Sequence, residues 1–268
     1  MDLVALIPSR DRHQALAETL DHLPHGWQQI VVLDQSAEAL IHPGATIIHA
    51  PEAQGLPQAR NRLLNAVKAE WVVFIDDDAI PAADFIPQLE HLIATNPKVV
   101  AWGPVVESRP RWLRRVHRLL QLGALRDPRR LTAGPANLPT RALFGCCFAV
   151  RRDTALACAG FDASRSGYAL GEDLDFFLRL RGPKRFAAAL RCIHRESKAG
   201  RADATARGQA KAAMLRWLAR RHGRHNPATI LHLGLALLAA ALAGRRAREA
   251  ASLRGLWRGL MSTDPFVR

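Results

Sequence analysis

Trp71-Val72-Val73-Phe74-Ile75-Asp76-Asp77-Asp78 is the stretch on which the fold turns. Its first five residues are apolar without interruption, the pattern of a strand covered on both faces, as in parallel sheets. Three carboxylates follow at once. Adjacent like charges beside a core strand repel and are poorly solvated, so a cation should compensate them. In open α/β sheets ligands bind beyond the carboxyl ends of the strands, where this triplet falls. Hard oxygen ligands at i and i+2 suit Mg²⁺ or Mn²⁺ shared with a diphosphate. Taken alone, the triplet also has a plainer reading as a solvated acidic turn.

Strand and helix signals alternate around it. Residues 4–7 form a short apolar run closed by Pro8, and residues 12–23 have helical spacing. Strands are expected at 30–33 and, more weakly, 46–49, and a helix at 59–69. A helix over 85–94 and a strand over 99–102 follow the triplet. This alternation predicts an α/β class with a mostly parallel sheet sandwiched by helices. Residues 111–120 predict a two-faced helix, with Trp112, Val116, Leu119 and Leu120 opposite Arg111, Arg114, Arg115 and Arg118. Residues 127–139 read as a loop, 143–150 as an apolar segment, and 172–180 as a helix. Past His194 the chain reads as helical, basic and alanine-rich.

The domain reading is therefore 1–200 for the main domain, with a nucleotide-binding half at 1–105 and an acceptor-side half at 106–200. Residues 201–268 form a basic amphipathic tail. Charge follows the same division: the net charge of +14 is made of −7 in residues 1–106, +9 in 107–152 and +12 in 153–268. An acidic front can hold a metal ion, and a basic remainder attracts diphosphates, nucleic acid or anionic lipid. Cys146, Cys147, Cys158 and Cys192 contain no CxxC pair, and they are expected as reduced thiols in a cytoplasmic protein. The short apolar run before Pro8 lacks the basic and hydrophobic regions of a signal peptide.

A second acidic cluster is Gly171-Glu172-Asp173-Leu174-Asp175. Gly171 precedes a helix, so the carboxylates occupy a first turn, where the helix dipole favours their ionised form. A positioned carboxylate there can take the proton of an attacking hydroxyl. Simple capping, with an i,i+4 pair between Asp175 and Arg179, is the plain alternative.

Together the two clusters resemble one family, the inverting glycosyltransferases of family 2 with the GT-A fold, over about residues 3–198. Ile7-Pro8-Ser9-Arg10-Asp11-Arg12 resembles that family's first-strand turn, and Val31-Val32-Leu33-Asp34-Gln35-Ser36 its nucleoside-holding turn. Gly55-Leu56-Pro57-Gln58-Ala59-Arg60-Asn61 and Phe74-Ile75-Asp76-Asp77-Asp78 are similar to its next two segments, the latter its DxD metal motif. Phe148-Ala149-Val150-Arg151-Arg152, Gly160-Phe161-Asp162 and the 171–175 cluster complete seven matches in one register. Leu63, where the family often has Gly, and Gly145-Cys146-Cys147, in place of a glycine-rich pair, depart from the pattern.

The resemblance implies a nucleotide-sugar donor with Mg²⁺ or Mn²⁺, and roles for particular residues. Pro8, Ser9, Arg12, Asp34, Arg60, Asp76 and Asp77 would contact the donor. Asp78, Asp76 and His194 would hold the metal. Asp173 would be the general base, and Gly145, Glu172 and Asp175 would lie on the acceptor side. Asp34 as a turn former, Arg60 as a surface helix residue and His194 as an ordinary histidine are the plain readings of the same positions.

In the tail, Leu253, Leu256, Trp257 and Leu260 fall at helical spacing, with Arg254 and Arg258 expected opposite. Basic amphipathic helices carrying Trp lie in membrane interfaces. This predicts peripheral contact with an anionic membrane, on the inner face of the cell membrane, and fits a saccharide or lipid-linked acceptor in polysaccharide or lipopolysaccharide assembly. The uncharged run 228–243 spans roughly 24 Å as a helix, short of the roughly 30 Å hydrocarbon core. A nucleotidyltransferase is the alternative enzyme, but it would carry a glycine-rich triphosphate loop where Pro8-Ser9-Arg10-Asp11-Arg12 stands. With one Tyr, the chain lacks the interleaved aromatics of a nucleic-acid binder, and no nucleic-acid partner is expected.

Overall fold

The computed structural model describes residues 1–53, 55–107, 137–164, 170–195, 204–223 and 250–261, with 234, 238 and 241 as isolated positions. The helix expected at 111–120 and nearly all of the 228–243 run lie outside the described residues, as does most of the loop expected at 127–139. Among the described residues, those up to Arg195 make one compact unit and those from Ala204 onward a second.

In the first unit, β1 (Leu3–Ser9) leads through α1 (His13–Asp21) to β2 (Gln29–Asp34) and β3 (Thr46–His49). Then α2 (Leu56–Ala66) returns the chain to β4 (Trp71–Ile75), followed by β5 (Ala79–Pro81), α3 (Phe85–Thr95) and β6 (Ala101–Glu107). The remaining elements are β7 (Asn137–Thr140), β8 (Cys147–Arg151), α4 (Arg152–Ala157), α5 (Glu172–Arg179) and β9 (Lys184–His194). The sheet order is β3-β2-β1-β4-β8-β6-β9-β5, with β7 also on β9. The β3-β2-β1-β4 ladders are parallel; α1 makes the crossover from β1 to β2 and α2 that from β3 to β4, while β2 reaches β3 through residues 35–45 without a helix. Beyond β4 the sheet is mixed: β8 pairs antiparallel with β4 and β6, and β6 parallel with β9.

β4 is buried along its whole length, as its unbroken apolar run predicts. On one face Leu3, Ala5, Ile7, Val32, Trp71, Val73 and Ile75 meet Leu16 and Leu20 of α1 and Phe85, Leu89 and Ile93 of α3. Phe74, from the alternate set, stacks on Phe148 at 5.1 Å and meets Phe161 edge-on at 5.4 Å. Phe161 stacks in turn on Phe176 of α5 at 4.3 Å. Such pairs add about 0.5–1.5 kcal/mol each beyond area burial.

β9 is an eleven-residue strand where the sequence reading places no strand. Its centre, Ala187-Ala188-Ala189-Leu190, favours helix by local propensity. Partners on both sides override that preference, and a bulge opposite Pro104 and Val105 blurs the in-out alternation that would reveal it. β5 and β7 are likewise absent from that reading, being three and four residues long.

The second unit pairs α6 (Ala204–His222) with α7 (Ala250–Met261). Gly255 and Gly259 lie against the backbone of Thr205 and Gln209, so the axes approach closely. A Cβ at residue 255 would run into the Thr205 carbonyl. Arg216 of α6 donates through Nη1 to the carbonyls of Gly259 (2.9 Å) and Leu260 (3.1 Å), satisfying the last turn of α7. Leu256 is buried, but Trp257 is 66% exposed. The expectation that Trp257 shares an apolar face with the leucines, opposite Arg254 and Arg258, is therefore corrected. Among the described residues no helix is long and apolar enough to cross a membrane.

Candidate metal and catalytic site

At the C-terminal end of β1 the sheet opens. The β1–β4 ladder stops at Leu6 and Phe74, while the β1–β2 ladder runs on to Ser9 and Asp34. Pro8, which has no N–H to donate, sits where β4 no longer pairs with β1. The crevice left by the diverging strands receives the acidic triplet.

The three carboxylates part ways. Asp77 is buried and turned toward β1: Ser9 Oγ donates to its Oδ2 at 2.8 Å and Arg12 Nη1 to its Oδ1 at 2.6 Å. Thr19 Oγ1 donates to its carbonyl at 2.9 Å. Burial pushes the Asp77 carboxyl up to about 7, against the pull of Arg12. Asp11, at φ +54° with its N–H bound to Ser36 Oγ, makes the turn that brings Arg12 over the pair.

Asp76 and Asp78 instead join His194, and one ligand atom from each lies within 4.8 Å of the other two. The pairing of β5 with β9 produces this meeting: Ala79 is in register with His194, and Arg195 N donates to the Asp78 carbonyl at 3.0 Å. His194 Nε2 is 3.0 Å from Asp78 Oδ1, and Arg12 Nη2 donates to Asp78 Oδ2 at 2.7 Å. Burial works to raise Asp78, but the bonds and charges of His194 and Arg12 outweigh it and hold the carboxyl well below the usual range. Asp76 is raised, first by burial, with Arg60 and His194 pulling it back. Two carboxylate oxygens and an imidazole nitrogen this close are a chemically sound donor set for a divalent cation.

Arg60 of α2 ties this group to the second acidic cluster. Its side chain is 1% exposed, and the plain expectation of a surface arginine does not apply. Nη1 donates to Glu172, while Nη2 donates to Asp76 Oδ1 at 3.0 Å and to the Gly145 carbonyl at 2.8 Å. The guanidinium lies 5.3 Å from the centre of the Phe161 ring and 6.0 Å from that of Phe74. The N–H of the same Gly145 donates to Asp173 Oδ2 at 3.0 Å. A Cβ on residue 145 would sit 3.0 Å from that oxygen and 3.3 Å from Arg60 Nη1, so the passage is sized for glycine.

Gly171, at φ +86°, starts α5 and puts Glu172, Asp173 and Asp175 in its first turn. Asp173 is partly exposed, and its Oδ1 accepts the Leu174 N–H at 2.8 Å. Glu172 is buried; burial first and the charge of Asp173 second push its carboxyl up to about 8, while Arg60 opposes them. Asp175 is fully buried and accepts from Arg179 Nε at 2.8 Å. Arg179 also donates to the carbonyls of Cys158 and Gly160, so this pair fastens the turn before α5. Asp34, also fully buried, accepts the N–H groups of Ser36 (3.0 Å) and Leu40 (2.9 Å) and lies 3.1 Å from His13 Nε2. Burial would raise it, but these bonds hold it low.

Thr19, His13 and Asn61 escaped the sequence reading. Asn61 exchanges two 2.8 Å hydrogen bonds with the backbone of Phe161, which fixes that ring under Arg60. In the sequence it closes the Gly55–Asn61 segment, with no role assigned to it. Beside Asp78 lies a cavity of about 390 Å³ whose wall includes Arg12, His13, Glu18 and Arg195.

The fold is that of the GT-A glycosyltransferases. The family model for glycosyl transferase family 2 matches residues 5–156, and the chain belongs to that family. It is a glycosyltransferase. No curated protein sequence matches it. Among solved structures it is similar to the mannosyltransferase PcManGT from Pyrobaculum calidifontis in complex with GDP-Man and Mn²⁺ (TM-score 0.62, 18% identity, 98% of this chain and 88% of that one). GalNAc-T7 with UDP, GalNAc and Mn²⁺ is also similar (TM-score 0.58, 13% identity, 86% of this chain and 54% of that one). So is residues 1–349 of S. aureus TarS (TM-score 0.54, 12% identity, 96% of this chain and 91% of that one). At these identities the likeness is one of fold.

Proposed function

We propose that the protein moves a sugar from a nucleotide-diphosphate donor to a hydroxyl of a saccharide or lipid-linked saccharide, inverting the anomeric carbon. The observation that carries this reading is the bridge from Asp76 through Arg60 and Gly145 to Asp173. It gathers two acidic stretches nearly a hundred residues apart into one site. Asp76, Asp78 and His194 would hold Mn²⁺ or Mg²⁺, and the imidazole nitrogen favours Mn²⁺. When bound, that cation supplies Lewis-acid neutralisation of the departing diphosphate. PcManGT and GalNAc-T7, both solved with Mn²⁺, offer precedent on the same fold.

Asp173, aimed by the N–H groups of Gly145 and Leu174, takes the proton of the acceptor hydroxyl. The hydroxyl oxygen bonds to the anomeric carbon as the bond from that carbon to the diphosphate oxygen breaks, and the electron pair leaves with the diphosphate. Arg60 and Glu172 position the two carboxylates. Pro8, Ser9, Asp34 and Asp77 shape the donor side, Asp77 acting through Arg12. Gly145 and Asp175 shape the acceptor side, the latter through the turn it fastens. The setting is polysaccharide or lipopolysaccharide assembly at the cytoplasmic face of the membrane, supported by the excess of basic residues in the second unit.

A panel of sugar nucleotides incubated with Mg²⁺ or Mn²⁺ tests the reading. The expected result is metal-dependent release of a nucleoside diphosphate. Pyrophosphate release from a nucleoside triphosphate and a sugar phosphate would overturn it in favour of a nucleotidyltransferase.

A further inference from the structure

α7 carries more than the packing it makes with α6. Arg254, Trp257, Arg258 and Met261 lie at i, i+3, i+4 and i+7, on one stripe, and all four are exposed. Trp257 is 66% and Met261 67% accessible, two of the six large apolar side chains left in water among the described residues. The opposite side of the helix is spent on Gly255, Leu256 and Gly259 against α6. Neither helix contains an Asp or Glu, while together they hold seven Lys and Arg. An exposed indole and thioether alongside two guanidinium groups match the boundary of an anionic bilayer: the apolar pair enters the headgroup region and the arginines meet phosphates.

We infer that the Arg254-Trp257-Arg258-Met261 stripe is the surface by which this protein docks on anionic lipid. This deepens the membrane-facing part of the proposed function and rests on it; it does not depend on the metal site. A second copy of the chain is a poor occupant, because a two-fold contact through the stripe would set Arg254 and Arg258 against their own kind. A nucleic acid would use the arginines and a stacked indole but has no use for Met261.

Co-sedimentation of the full chain with vesicles tests the inference, comparing phosphatidylcholine alone with phosphatidylcholine containing phosphatidylglycerol. The wild type is expected to partition to the anionic vesicles, less so at high salt. Arg254→Gln with Arg258→Gln should lower that partitioning roughly thirtyfold. Trp257→Ser with Met261→Ser should lower it at least roughly tenfold. All four positions are exposed, so sugar-nucleotide hydrolysis should be unchanged and reports that the variants fold. If both double variants sediment as the wild type does, the stripe is overturned while membrane association stands. If the wild type binds neither vesicle, both fall, whatever the hydrolysis assay shows. A dimer lost on Trp257→Ser, or single-stranded DNA binding lost in place of vesicle binding, would also overturn the lipid assignment.

Discussion

Replacing Arg60 by Met removes one charge from the middle of the site and keeps most of the side-chain volume. The methionine can still lie against Phe161 and Phe74, so the loss is mainly electrostatic. What remains is a buried Glu172 without its partner, and Asp76 without its donor. Above about pH 8, where Glu172 is ionised, breaking the buried pair from one side costs about 3–5 kcal/mol, because the stranded charge is desolvated. At about 2–4 °C per kcal/mol for a domain of this size, the melting temperature should fall by roughly 6–20 °C. Calorimetry with chelator present keeps metal binding out of the comparison. Glu172→Gln in the same background removes the stranded charge and should recover part of the loss, as a non-additive cycle. Glu172 also sets a pH dependence. Its carboxyl is raised from 4.5 to about 8 by burial and by Asp173, so the native state holds the proton more tightly than the unfolded chain. Its contribution is then complete below about pH 4.5 and is lost as pH rises through 8. Glu172→Gln should therefore gain stability relative to the wild type between pH 5 and pH 9. A melting temperature for Arg60→Met within about 2 °C of wild type would refute the reasoning. So would a double variant equal to the sum of its singles.

Three further outcomes follow from the geometry. Asp173→Asn should lower kcat by about 10²–10⁴-fold with donor binding nearly intact, and near-normal kcat would remove Asp173 from the base role. Asp78→Ala should shift a Mn²⁺ titration of donor binding by more than the roughly 10–100-fold typical of losing a supporting residue; an unmoved curve contradicts the ligand assignment. Gly255→Ala places a methyl against the Thr205 carbonyl and should destabilise the α6–α7 unit by about 1–3 kcal/mol, seen as earlier loss of helical circular dichroism. An unchanged melt would mean the two helices are not held as described.

What was legible in the sequence had local causes. The β4 run and the triplet announce themselves because five apolar residues in a row can only be buried, and three carboxylates beyond them demand a counter-charge. Gly171 and the acids after it are equally local, a left-handed residue opening a helix with its dipole satisfied. The donor-set partner of Asp78 is different. His194 could be named from resemblance, but its route to Asp78 runs along β9, and β9 is a strand only because β5, β6 and β7 pair with it. An alanine-rich segment carries no such information by itself. The triplet shows the same limit: all three aspartates look alike in the chain, yet Ser9 and Arg12 claim Asp77 and leave its two neighbours to the cation group.

The second unit shows why an amphipathic pattern underdetermines a helix face. On α7 the leucines and Trp257 form a plausible apolar side, and the arginines a polar one. Packing followed another rule. Gly255 and Gly259 let the backbones approach more closely than any leucine seam allows, and close approach maximises contact along the glycine sector. The docked face therefore centres on Gly255, Leu256 and Gly259, rotated away from the sector the pattern suggests. Arg216 then locks that rotation by capping the last turn. Trp257 is carried out to solvent by the same rotation and arrives between Arg254 and Arg258. The residue that hydropathy assigns to the interior is thus left exposed, and two glycines decide it.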